Sequence, residues 1–209
     1  ANPGQTPASP EGPLALPGVY TLRLTVDGRS YTQTATVKPD PRSRATPAQL
    51  SAQHALLMRL DAGLQAAWQD HQQATTLRAA IADAASHAGA AAELAGAAAA
   101  LQAALDSVAG NPHGPGRFGP RAGAEPPPTF VGVSSALVEQ LNAQDNGDMA
   151  PTPAALAAWS KSCRDLHAAS DRWEALRTSR LAQLDDLLAR AGQSRIPTPP
   201  PGPVPPACQ

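Results

Sequence analysis

The sequence predicts a mainly α-helical chain carrying one β-hairpin. Three observations carry the prediction. Two runs of alternating character flank Asp27-Gly28, a dipeptide suited to a two-residue turn because both central residues need positive φ. Two long stretches, each opened by a Thr-Pro pair, bear apolar side chains at mostly three- and four-residue spacing. No further strand signal occurs. The expected architecture is an antiparallel helical hairpin or bundle of two long and two short helices, preceded by the β-hairpin.

Residues 1–16 hold Pro3, Pro7, Pro10 and Pro13 among Gly, Ser and Thr, a flexible-linker composition. The hairpin spans 17–42. Pairing about Asp27-Gly28 sets Val26 opposite Arg29, Leu24 opposite Tyr31, Leu22 opposite Gln33 and Tyr20 opposite Ala35. One face is then Tyr20, Leu22, Leu24, Val26 and Tyr31, and the other is dominated by Thr. Pro39 and Pro41 end the pairing, since proline has no N–H for a ladder. A hairpin alone is marginal in water, so the apolar face is expected to lie on a helix or to stay exposed.

The helical part is expected over 46–192. Thr46 caps, Pro47 suits the first helical position and Gln49 completes a capping box. Leu50, His54, Leu57, Leu60, Leu64, Trp68, His71, Leu77 and Ile81 follow, with a slip between His71 and Leu77. With Gly89 as the stop, this helix runs roughly 40 residues, or ~60 Å. An alanine-rich helix over 90–109 carries Leu94, Leu101, Leu105 and Val108 and ends at Gly110-Asn111-Pro112. Residues 111–133 read as a long Pro/Gly loop. A short helix is expected from Ser134 or Ser135 to Ala143, then a turn at Asp145-Asn146-Gly147-Asp148. Thr152-Pro153 opens the last helix, whose stripe includes Trp159, Cys163, Leu166, Trp173, Leu176, Leu181, Leu184 and Leu188 before Ala191-Gly192. Residues 193–209 read as a disordered proline-rich tail.

Composition bounds the function. In 209 residues the apolar fraction is 42%, but much of it is alanine, which buries little area. With 16 basic and 17 acidic residues and no long run of either sign, no nucleic-acid-binding or anionic-membrane patch is expected. No stretch is long and apolar enough to span a bilayer. The start, Ala1-Asn2-Pro3-Gly4, reads neither as a signal peptide nor as an initiator methionine, and with the unpartnered hairpin it predicts a C-terminal fragment of a longer protein.

Chemistry is sparse. His54, His71, His87, His113 and His167 show no metal-ligand spacing. Phosphate-binding loops and nucleophile elbows are absent. The spacing around Asp145 and Asp148 does not match a calcium loop. Asp185-Asp186 point about 100° apart on a helix, and Asp70 and Glu93 read as exposed helix residues. No catalytic, cofactor-binding or metal residue is therefore assigned. Cys163 and Cys208 are within reach of each other, since ~50 Å of tail at ~3.1 Å per residue exceeds the ~44 Å back along the helix. The preferred expectation is nonetheless a buried Cys163 and a free or disordered Cys208.

The run from Gly12 to Gly28 (GPLALPGVYTLRLTVDG), with Thr32-Gln33 and Val37-Lys38-Pro39-Asp40-Pro41-Arg42, resembles the C-terminal region of bacterial proteins with BNR or sortilin-like β-propellers, many of them glycosyl hydrolase-like. The hairpin is similar to the last strands of a FlgD-type immunoglobulin-like domain. The stretch Asp148-Met149-Ala150-Pro151-Thr152-Pro153, with Trp173 and Leu184-Asp185-Asp186-Leu187-Leu188 downstream, is similar to that family's final helix. The chain departs from the pattern in its loop at 111–133 and in its tail. The resemblance implies that the hairpin is a remnant of an Ig-like sandwich, and that the chain is a non-catalytic accessory domain of a secreted or periplasmic propeller protein. Its partner would be the missing propeller or Ig-like part. Two alternatives stand beside it. One is a helical interaction or oligomerisation module using stripes that bear Trp68, Trp159 and Trp173. The other is a part of a hydrolase whose site lies in the propeller.

Overall fold

The computed structural model describes residues 12–87, 92–110 and 126–208. It is mainly α with one antiparallel β-hairpin, the expected class. Residues 1–11, the expected helix stop at Gly89, and residues 111–125 of the expected loop with His113 lie outside the described residues.

Strands β1 (Gly18–Val26) and β2 (Arg29–Val37) pair in the expected register, from Val26 opposite Arg29 to Tyr20 opposite Ala35. Asp27 and Gly28 both take positive φ, 48° and 76°, as the tight turn requires.

Helix α1 (Pro47–His87) begins on the expected capping box. The Thr46 N–H donates to Gln49 Oε1 at 2.8 Å, and the Gln49 N–H donates to Thr46 Oγ1 at 3.3 Å. Helix α2 (Ala92–Ala109) follows, and α3 spans Phe130–Gln144. The start of α3 corrects the expected one at Ser134 or Ser135. Thr129 is the cap, its Oγ1 accepting from the Gly132 N–H at 3.1 Å, so the first turn uses residues that read as loop. The last rod is α4 (Pro153–Ala175), a single wide turn over Leu176–Arg180 and α5 (Leu181–Arg190). In that turn the Leu181 N–H reaches back to Leu176 O, five residues instead of four. The sequence shows the cause: the apolar step from Leu176 to Leu181 is five residues, and the extra residue keeps both on the buried side.

The direction of the rods differs from the expected antiparallel pairing of the two long helices. Arg78 meets Asp106 and His71 meets Ala109, so α2 descends beside the C-terminal half of α1. Gln53 meets Gln144, and Gly63 faces Leu137, so α3 continues the descent beside the N-terminal half. Gly63 also faces Trp159 and Leu166, and Asp70 meets Ser170, so α4 rises parallel to α1. The two short helices, placed end to end, thus form the return leg. Together they hold 33 residues, 18 and 15, or about 50 Å at 1.5 Å per residue, about four-fifths of the span of the 41-residue α1. Arg172 joins the legs by donating to Pro128 O and Ser107 O, each at 3.0 Å.

One core runs through this bundle, with Leu56, Leu60, Leu77, Ile81, Leu105, Phe130, Leu137, Trp159, Leu166, Trp173 and Leu181 fully buried. On α1 the buried face is Gln53, Leu56, Leu57, Leu60, Ala67, Asp70, Ala74 and Leu77. Ala74 fills the slip between His71 and Leu77. Asp70, expected at the surface, is buried, whereas Glu93 is exposed as expected.

The tail corrects two expectations. Residues 193–208 have neither helix nor strand, yet they descend along α5 and α4 in a fixed path. Ile196 is buried and its N–H donates to Asp185 Oδ1 at 2.9 Å. Arg177 Nη1 donates to Pro199 O at 2.9 Å. Gly202 packs on Asp70 so closely that a Cβ would collide with the carboxyl. The path ends in a disulfide between Cys163 and Cys208, with their Cα atoms 5.4 Å apart. Proline-rich chain cannot pair its own backbone, so its carbonyls are free to accept from side chains on the bundle. Composition alone reads as disorder because it carries no trace of those partners.

Candidate interaction surface at the hairpin

Among the described residues no helix packs extensively on the hairpin, whose two strands pack chiefly on each other. Its apolar face is therefore open. Leu24 is 62% exposed, Leu22 and Tyr31 are 58%, and Val26 and Val37 are exposed too. Of the two outcomes expected for this face, burial on a helix and exposure, the structure shows exposure. Alternation places these side chains on one side because successive residues of a strand point to opposite faces. The reverse side carries Thr21, Arg23, Thr25, Ser30, Thr32, Thr34 and Thr36, with Thr25 and Ser30 hydroxyls 3.1 Å apart across the ladder. Among the described residues each strand pairs only with the other, which leaves backbone groups unpaired along both outer edges there. An open apolar face of this kind is a candidate contact surface.

The base of the hairpin is shaped as well. A cleft of about 430 Å³ opens between the segment before β1, the end of β2, the start of α1 and the turn before α4. Leu14, Val37, Leu50 and Leu57 give it apolar walls, and Lys38, His54 and Asp148 stand on its lining. His54 Nδ1 lies 3.1 Å from Leu14 O, which ties the incoming chain to α1. Gln53 fixes the opposite wall. Its Nε2 donates to Gln144 O and Gly147 O at 2.6 and 2.7 Å, and its Oε1 accepts from the Met149 N–H at 3.3 Å. A second cleft of about 420 Å³ adjoins it, lined by Leu16, Pro17, Pro39, Pro41, Ala45 and Leu50. Beside it Arg42 pairs with Asp40 and holds that carboxyl below its ordinary pKa.

The tryptophan stripes are not part of this surface. Trp159 and Trp173 are each 1% exposed, inside the core. Trp68 is half-buried and stacks on His71 with ring centroids 5.3 Å apart. This corrects the expectation that all three tryptophans could face a partner helix. His71 Nδ1 is also 3.2 Å from Ala109 O, closing the end of α2 onto α1.

The buried Asp70 lies beneath the tail. Its Oδ2 accepts from Ser170 Oγ at 3.1 Å, and its Oδ1 has no partner among the described residues. Burial raises its pKa to about 6, while the Ser170 hydroxyl and Arg177 hold it down and Glu174 pushes it up. A carboxyl whose folded pKa is raised keeps its proton longer in the folded state. Stability is then greatest below the unfolded pKa of about 4 and falls as pH rises to about 6, by up to about 3 kcal/mol in all. Asp70→Asn removes the ionisation and keeps the acceptor for Ser170. The variant is expected to gain stability at pH 7.5 relative to the parent chain and to match it at pH 4. Thermal unfolding at the two pH values reads this directly, and an equal shift at both would refute the assignment.

Among the described residues, one group has donor atoms placed for a metal ion: Cys163, His167 and Cys208, with the cysteines joined as the disulfide. His167 Nε2 is 3.1 Å from Pro206 O. No described helix is long and apolar enough to cross a membrane.

No family model, no curated protein and no solved structure matches the chain.

Proposed function

We propose that the chain is a non-catalytic accessory domain whose hairpin completes a β-sandwich in a larger protein and whose bundle braces that junction. The observation that carries the reading is the open apolar face of Leu22, Leu24, Val26 and Tyr31, on a two-stranded sheet whose edges meet no further strand among the described residues. Two such strands alone are marginal, and a sandwich supplies what they lack: more strands at the edge and a second sheet over the face. The clefts at the hairpin base offer apolar walls for the adjoining loops. The resemblance of Gly12–Gly28 and Val37–Arg42 to the end of BNR or sortilin-like propeller proteins gives the parent as a glycosyl hydrolase-like or sortilin-like protein, the missing strands being those of its Ig-like domain. The disulfide supports a secreted or periplasmic setting, because such bonds persist in oxidising compartments.

The test uses the parent protein. Leu22→Asp with Leu24→Asp is expected to lower the melting temperature of the adjoining sandwich while leaving the bundle's own transition within a degree or two. Unchanged melting of both would overturn the reading. An equal loss in the isolated chain would also overturn it, since the face would then belong to this chain's own fold. The interaction-module alternative gives a different result: the isolated chain would self-associate in sedimentation, and the double substitution would abolish it.

A further inference from the structure

We infer that Cys163, His167 and Cys208 form a two-state centre, a disulfide when oxidised and a Cys2His site for a soft divalent cation such as zinc when reduced. The inference is independent of the hairpin's role. Its basis is placement. One donor atom from each residue lies within 4.8 Å of the other two. In a tetrahedral zinc site, with Zn–S ~2.3 Å and Zn–N ~2.0–2.1 Å, neighbouring donors sit roughly 3.5–3.8 Å apart. Cys163 and His167 are four residues apart on α4, so they share a face of a rigid helix. The third donor comes from the tail, which has no helix or strand to resist the movement that parts the sulfurs.

The surroundings fit this donor set. Cys163 is fully buried, while His167 and Cys208 are half-buried, which leaves a solvent side for a water as fourth ligand. The Pro206 carbonyl meets His167 Nε2 and orients the ring, the kind of outer contact that metal-bound imidazoles keep. A carbonyl only accepts, so that nitrogen carries the proton in the oxidised form. Two thiolates here would be costly without a counter-charge, and a divalent cation neutralises both.

The chemistry balances. A dithiol reductant attacks one sulfur, the S–S bond breaks, and the second thiol of the reductant resolves the mixed disulfide. The reductant is oxidised by two electrons and the chain gains two thiols. The cation then displaces one proton from each thiol to solvent and takes the imidazole as third ligand.

Cobalt(II) is the probe, added to the whole chain after reduction with a phosphine. The expected result is one equivalent bound, with thiolate-to-cobalt charge transfer and tetrahedral d–d absorption, and no binding to the oxidised chain. Cys208→Ser is expected to lose the charge-transfer intensity of one thiolate. His167→Ala is expected to weaken binding by more than the roughly 10–100-fold that losing an outer contact costs. Far-UV circular dichroism follows the fold throughout. Absence of tetrahedral absorption, absorption unchanged in His167→Ala, or loss of helix on reduction would each overturn the inference.

Discussion

Trp159→Ala is expected to cost the chain about 3–5 kcal/mol of stability, the range for deleting a buried large aromatic. Trp159 is 1% exposed where α1, α3 and α4 meet, and Gly63 of α1 leaves the space it occupies. An alanine there leaves a cavity bounded by three helices that cannot all close on it, because each is held elsewhere. Gln53 ties α1 to the turn after α3, and Arg172 ties α4 to α2 and to the entry of α3. The loss is a large part of the ~5–15 kcal/mol that holds a typical domain folded. Trp159→Phe is expected to recover most of it, since the buried indole N–H has no partner among the described residues. Urea unfolding checks both. A loss below about 1 kcal/mol for the alanine variant would place Trp159 outside the core.

Cys208→Ser is expected to cost about 4 kcal/mol. The disulfide closes a loop with a sequence separation of 45, and loop-closure entropy grows with the logarithm of that length. The same bond fastens the far end of the tail, whose other attachments are single contacts: Ile196 to Asp185, Pro199 to Arg177, Gly202 on Asp70 and Pro206 to His167. Without the bond these contacts compete with the entropy of a free tail. Limited proteolysis is therefore expected to cut between 193 and 208 in the variant and not in the parent chain. Adding reductant to the parent chain should reproduce the variant in both assays. If the variant unfolds at the parent's denaturant midpoint, the tail is not part of the cooperative fold.

Local features were legible in the sequence because local chemistry makes them. Asp27-Gly28 sets the hairpin register. Thr46 with Pro47 starts α1, and Thr152 with Pro153 starts α4, the Thr152 hydroxyl accepting from the Ala155 N–H. Gly110 with positive φ ends α2. What could not be read was which surfaces meet. The parallel course of the two long rods follows from α2 and α3 sharing one return leg, and no local signal reports that sharing. Asp70 read as a surface residue because it is polar, yet its partner Ser170 lies 100 residues away, and no local signal marks Gln53, whose partner Gln144 lies 91 residues away. The tail read as disordered for the same reason. Its proline pattern has no apolar period, and its contacts include carbonyls taken up by Arg177 and His167. For the candidate surface on the hairpin the reverse holds. The alternation of Tyr20, Leu22, Leu24 and Val26 fixed the apolar face, and no described helix covers it.

The central claim is that the hairpin is partnered by strands outside this chain. Amide hydrogen exchange over residues 18–37 tests it most directly, measured on the isolated chain and on the parent protein. In the isolated chain these amides are expected to exchange orders of magnitude faster than those of α1, as local opening of an uncovered two-stranded sheet costs little. In the parent they are expected to slow to the level of the bundle. Slow exchange in the isolated chain, or exchange that stays fast in the parent, would contradict the claim.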